Sequence, residues 1–227
     1  MDDEPLDIKD LNLDDLLMAD DTELDFKLDD FAGYFEEKVE SKYCKPKVYK
    51  LECKPDYKYA KQLAEDLKLY PGELVHCMVA GSFIFGDFIE ALLVEKDVVC
   101  TEMLISTLSM SQNNIDSLAG LRKTGHLTGK LTIMLSNYFY SHEKFSLIPY
   151  ALENLDCELF DMLVIRNHTK LCLMKVANIH LVITGSANLR SSNCIEQFTI
   201  HESPELYAFY KSWFESLSKY SIKRNEH

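Results

Sequence analysis

The sequence predicts an α/β domain with a mixed central sheet flanked by helices. Three observations predict it. From Glu73 onward, apolar runs of strand length alternate with stretches whose apolar residues recur at helical spacing. Gly, Pro, Asn and Ser punctuate the boundaries, where such residues end strands and start helices. Finally, 47% of the 227 residues are hydrophobic, with 12 Tyr and 12 Phe, enough for one core.

Residues 1–30 alternate Asp with Leu, Phe and Met and hold 13 acidic residues against two lysines, a net of −11. The whole chain carries −13, which leaves −2 for residues 31–227, so a local phosphate-binding patch is compatible with the low overall pI. The acidic stretch is expected to be a solvated, disordered tail. Its alternation also suits a segment that folds onto a protein partner, or one that mimics nucleic-acid charge over a binding site.

Residues 31–72 read as a connector and a helix. A short helix is expected over 31–40 and a Lys- and Tyr-rich strand or extended arm over 42–58. A helix over 57–69 carries Tyr57, Ala60, Leu63, Ala64 and Leu67 at helical spacing and stops at Pro71-Gly72.

The main domain is placed at residues 73–220. A strand over 73–80 leads through a Gly81-Ser82 turn to a helix over 87–94, then a strand over 97–107. Ser109 or Ser111 caps a helix running to Leu121. A strand over 131–135 and a helix over 143–154 follow, with Pro149 inside it or at its start. Strands are expected over 158–164, 168–175, 179–184 and 196–201. Pro204 opens a closing helix with Leu206, Phe209, Trp213 and Leu217 along one face.

Several classes are set aside. No apolar run reaches 18 residues, so neither a spanning helix nor a membrane partner is expected. The acidic N-terminus is unlike a secretory signal. Seven scattered cysteines, with no CxxC pair, read as reduced thiols in a cytoplasm and offer no zinc site. No metal and no cofactor are expected. The run from Gly81 to Gly86 lacks the Lys-Ser/Thr of a phosphate loop. Asn188 stands where a nucleophile elbow built on Ser186 needs its last Gly.

The chemistry is concentrated in residues 167–197. Alternation on a strand puts His168 and Lys170 on one face. Gly185 permits a tight turn after the next strand, and Ser186 and Asn188 bring a hydroxyl and an amide. Imidazole, ammonium, hydroxyl and amide around one point suit a phosphate oxyanion. Arg190 is a further candidate phosphate donor, or a surface ion pair. Ser109, Ser111, Gln112 and Asn113 are candidates for ligand contact or for helix capping.

These residues carry a resemblance. His168-x-Lys170 followed by Gly185-Ser186-x-Asn188 is similar to the signature of the phospholipase D-like superfamily, in a single-motif, nuclease-type form. The strand, Gly-Ser turn and helix from Glu73 resemble the opening of such domains. The resemblance implies a phospholipase D-like fold and a metal-independent phosphodiesterase, here most directly a nuclease. It implies His168 as the nucleophile that becomes a phosphohistidine, with Lys170, Asn188 and Ser186 on the phosphate. Glu196 would steady the histidine. The family's Asp falls at position 175, where this chain has Lys175, and the gap to Gly185 implies an extended hairpin. A degenerate motif leaves an alternative, an inactive module that binds DNA or another phosphate-bearing partner. One motif per chain implies a homodimer with two histidines at its two-fold axis.

Overall fold

A computed structural model of the chain describes residues 51–57, 60–68, 71–79, 84–155, 158–190 and 195–222. The expected tail at 1–30, the helix at 31–40, the arm as far as residue 50, the Gly81-Ser82 turn, Cys44, Cys157 and Cys194 lie outside the described residues.

The described strands are β1 (Leu51–Tyr57), β2 (Leu74–Val79), β3 (Cys100–Thr107), β4 (Leu127–Ser136), β5 (Phe160–Ile165), β6 (Leu171–Val176), β7 (Ile179–Gly185), β8 (Glu196–Glu202) and β9 (Ser221–Ile222). The helices are α1 (Ala60–Asp66), α2 (Phe85–Glu95), α3 (Gln112–Thr124), α4 (Asn137–Glu143), α5 (Leu147–Leu155) and α6 (Pro204–Ser216). The strands form one mixed sheet in the order β1-β2-β8-β7-β6-β3-β4-β5-β9. β3, β4 and β5 are parallel, β6, β7 and β8 form an antiparallel meander, and β1 runs parallel to β2. The fold is thus the mixed α/β sheet flanked by helices that the alternation of elements predicts.

Most of the core lies on one face. Met103 and Ile105, Leu131, Ile133 and Leu135, Cys172 and Met174, and Leu181 and Ile183 alternate inward along their strands. Phe88, Ile89 and Leu92 of α2 and Ile115 and Leu121 of α3 close over them, all at most 1–2% exposed. Burying each such side chain stabilises the fold by roughly 1.5–3 kcal/mol. Cys77, Cys100 and Cys172 are buried, and burial pushes the thiols of Cys100 (to about 11) and Cys172 upward, which keeps them inert.

Several boundaries differ from expectation for local reasons. Tyr57 belongs to edge strand β1, so the sheet begins upstream of Glu73. Asp97 has a positive φ of 47°, which delays β3 to Cys100. Ser111, not Ser109, caps α3 by accepting from Asn114 N, in a capping box with Asn114. The helix expected over 143–154 is α5, which starts later, at Leu147, with Pro149 in its first turn, where its missing N–H costs nothing, and α4 is a further helix before it. The 177–178 hairpin is a two-residue turn rather than an extended one, because Val176 pairs directly with Ile179. Here Ala177 takes a φ of 51°.

α6 buries a stripe that shares only Leu217, its C-cap, with the one expected. Tyr207 and Phe214 are buried, whereas Phe209 is 55% exposed. A half-buried carboxylate decides the rotation. Glu102 on β3 points to the second face of the sheet and receives Tyr207 Oη at 2.8 Å and Lys211 Nζ at 2.7 Å. Tyr207, Lys211 and Phe214 at i, i+4 and i+7 therefore face the sheet. Burial raises the Glu102 carboxyl, but the bonds from Lys211 and Tyr207 and the charges of Lys211 and Lys175 outweigh it, leaving it below its ordinary value. This contribution to stability is present above the ordinary carboxylate pKa and is lost as pH falls through the lowered one.

One glycine is a site for improvement. A Cβ on Gly120, inside α3, meets nothing within 4 Å. Gly120→Ala is expected to stabilise the protein by about 0.5–1 kcal/mol, read as a rise in thermal midpoint of roughly 2–4 °C per kcal/mol. Among the described residues no helix is long and apolar enough to cross a membrane.

Candidate functional site

The strand directions gather one set of loops at one rim of the sheet. β3, β4 and β5 end there at Thr107, Ser136 and Ile165, β6 starts there opposite Ser106, and β7 ends there at Gly185. β8 starts at that rim, with Glu196 opposite Val79. The carboxyl ends of the parallel strands are where open α/β sheets bind ligands.

His168 and Lys170 lie at this rim, but not on a strand. β6 begins at Leu171, so residues 166–170 form a crossing segment between β5 and β6. Even so the two side chains meet. Lys170 Nζ is 3.0 Å from His168 Nδ1 and donates to the His168 carbonyl at 2.8 Å. His168 is exposed and Lys170 half-buried. Lys170 is tied to the next strand, since Gly185 N donates to its carbonyl.

Gly185 is needed for space rather than for a left-handed turn. A Cβ there would sit 2.4 Å from the Gln197 carbonyl and 2.5 Å from the Phe198 ring. That close approach delivers Ser186 to β8. Ser186 Oγ donates to the Glu196 carboxylate and accepts from Gln197 N at 3.0 Å. Asn188 Oδ1 accepts from Leu108 N at 3.2 Å, which anchors the carboxamide by its acceptor end. Its NH2 end makes no hydrogen bond among the described residues. Leu189 N in turn donates to Thr107 Oγ1, and Gly86 N to the Leu189 carbonyl.

The rim thus brings His168 to Lys170 and Ser186 to Glu196, and holds Asn188 at the adjoining end of β3. Burial lowers the pKa of the Lys170 ammonium, and the Glu196 charge only partly restores it. A phosphate ligand held by that ammonium is expected to lose affinity as pH rises, with a midpoint below the ordinary lysine value of 10.5. Orthophosphate titrations across the alkaline range check this, and Lys170→Arg should remove the alkaline limb, because guanidinium stays charged.

The other candidates fall differently. Arg190 is exposed on the loop after Asn188. Ser111 is occupied in capping α3. Lys175 is five residues along β6 from Lys170, about 17 Å away at the far end of the strand. There it faces Glu102 across the ladder and acts on its charge. The departure from the His-Lys-Asp pattern therefore lies outside the rim, and Lys175 makes no phosphate contact there. A cavity of about 240 Å³ beside α6 is also remote from the rim. Its Lys130 and Asp161 pair at 2.6 Å and its Lys211 pairs with Glu102, so its charges answer one another.

Three groups at the rim escaped the sequence reading: the Leu108 N–H, Asn167 and Thr169. A backbone donor leaves no trace in sequence. Asn167 and Thr169 did leave one, as polar residues flanking His168 on both sides.

These features define a mixed α/β domain with an imidazole-ammonium pair on the rim of its sheet. No protein-family model and no curated protein matches the chain. Solved structures do. Nuc from Salmonella typhimurium, a phospholipase D family member, is 17% identical, with 57% of this chain and 86% of that chain covered and a TM-score of 0.44. NucT from Helicobacter pylori is 14% identical, covers 66% of this chain and 99% of that one, and has a TM-score of 0.46. Polyphosphate kinase from Porphyromonas gingivalis is 11% identical over 70% of this chain and 28% of that one, with a TM-score of 0.47. Likeness at this level adds nothing to the chemistry, which rests on the rim residues.

Proposed function

We propose that this chain is a phospholipase D-like phosphodiesterase that works without metal, acting as a nuclease. The observation that carries the reading is the 3.0 Å contact of His168 and Lys170 beside the Gly185-Ser186-x-Asn188 loop. A nucleophile and a cation within one phosphate's reach are the minimum for covalent phosphoryl transfer.

In this mechanism His168 Nε2 attacks phosphorus and the bond to the leaving oxygen breaks. Lys170 and the Asn188 NH2 stabilise the non-bridging oxygens. His168 of a second copy, protonated, gives its proton to the leaving oxygen. It then removes a proton from water, whose oxygen bonds phosphorus as the N–P bond breaks. One histidine per chain makes a homodimer part of the proposal.

The contact seen here is a resting one. Lys170 donates to Nδ1, which leaves the proton of a neutral ring on Nε2. Attack needs the other tautomer. An arriving phosphate draws the Lys170 ammonium to itself and releases Nδ1 to carry the proton, and Glu196 then receives Nδ1–H. Substrate arrival and activation of the nucleophile are thereby one event. The alternative is a module that holds phosphate without turnover, which Lys175 in the place of the motif's Asp favours.

Cleavage of single- and double-stranded DNA and RNA by the full chain in excess chelator tests the reading. Turnover that survives chelation supports it. Tight binding with no turnover favours the module.

A further inference from the structure

We infer that Asn167 and Thr169 are positioning residues that, with Ser106, hold the His168–Lys170 pair out at the rim. The inference rests on the reading of that pair as the phosphate site.

β5 and β6 are not neighbours. β4 and β3 lie between them, so residues 166–170 must cross the ends of two strands. A crossing segment has no ladder to hold it, and its side chains must supply the anchors. Asn167 Nδ2 lies 2.8 Å from Ser106 Oγ, 3.4 Å from the Thr107 carbonyl and 3.5 Å from the Met134 carbonyl. It therefore pins the crossing to the ends of β3 and β4. Asn167 Oδ1 accepts from Thr169 N at 3.0 Å and from Thr169 Oγ1 at 2.7 Å.

The three side chains close a ring of contacts. Ser106 Oγ accepts from Asn167 Nδ2, the hydroxyls of Ser106 and Thr169 share a hydrogen bond, and Thr169 Oγ1 meets Asn167 Oδ1. Ser106 Oγ also reaches the Thr169 carbonyl at 3.2 Å, so either hydroxyl can supply the proton between them. Ser106 is only 1% exposed, so the ring is fastened to the sheet interior. Asn167 is half-buried against β3 and Thr169, itself exposed, bonds to Ser106, while His168 between them is exposed with Lys170 against it.

The test uses full-length protein and three variants: Thr169→Val, which keeps the shape and removes the hydroxyl, Thr169→Ser, which restores it, and Asn167→Ala. Long-range nitrogen–proton NMR of the His168 ring and orthophosphate titration are the readouts. Thr169→Val and Asn167→Ala are expected to move the ring signals to those of an imidazole without its Lys170 bond. They should also weaken orthophosphate by about tenfold or more, while Thr169→Ser stays near wild type. Unchanged ring signals and affinity in Thr169→Val overturn the inference, even where Asn167→Ala fails to fold. A wild type that neither binds phosphate nor cleaves, but whose ring signals still depend on the Thr169 hydroxyl, upholds the positioning role and sinks the phosphodiesterase reading instead.

Discussion

His168→Ala is expected to lower chelator-resistant cleavage by about 10⁴-fold or more while leaving nucleic-acid binding largely in place. The size follows from the role. Removing the nucleophile of a covalent mechanism costs orders of magnitude, because the remaining groups can only bind and polarise. In the proposed mechanism Lys170 and Asn188 remain to hold phosphate. The fold should not suffer, since His168 is exposed and Lys170 is its ring's one hydrogen-bond partner among the described residues. Its stability should stay within about 0.5 kcal/mol of wild type. Initial rates in chelator, paired with a thermal midpoint, make the measurement. A second reading comes from a phosphorus-labelled substrate quenched in mid-turnover. The wild type should carry acid-labile label, and the variant none. Equal rates for the two proteins would end the histidine mechanism.

Gly185→Ala is the second large effect, and it acts on structure and chemistry together. The new methyl would meet the Gln197 carbonyl at 2.4 Å, and that carbonyl accepts from Ser186 N. It would also press on the Phe198 ring, which stacks on Phe85 with centroids 5.0 Å apart. A backbone atom cannot swing aside like a flexible side chain, so β7 and β8 must part. The cost is expected near the upper end of overpacking changes, about 3 kcal/mol, read by denaturant midpoint. The parting also displaces Ser186 from Glu196 and moves the carbonyl of Lys170, so activity should fall even below the unfolding temperature. A variant as stable as wild type would show that the close approach is not the reason for glycine here.

The contrast between what could and could not be read in the sequence is itself physical. The strands announced themselves because their apolar residues alternate: Met103 and Ile105 face the main core, Leu104 the other side. The pair His168 and Lys170 was legible because two residues in a short segment have little freedom to separate. The inward stripe of α6 was not. Leu206, Phe209 and Trp213 are the more apolar set, yet Tyr207 and Lys211 turn inward to satisfy Glu102, a residue 105 positions upstream of Tyr207. A half-buried carboxylate must be answered, and that need outweighs a few exposed apolar carbons. The Asn167–Thr169–Ser106 ring was hidden for the same reason, since Ser106 and Thr169 are 63 positions apart. The role of Gly185 was read as a backbone conformation and proved to be a matter of space, which only the neighbouring strand can reveal.

The Ala177-Asn178 turn has a practical use. Both residues are exposed, at the end of the β6–β7 hairpin opposite the rim that carries His168. A fluorophore, an epitope or a surface tether grafted there would stand a full strand length from His168, leaving the opposite rim open while the molecule is immobilised or watched.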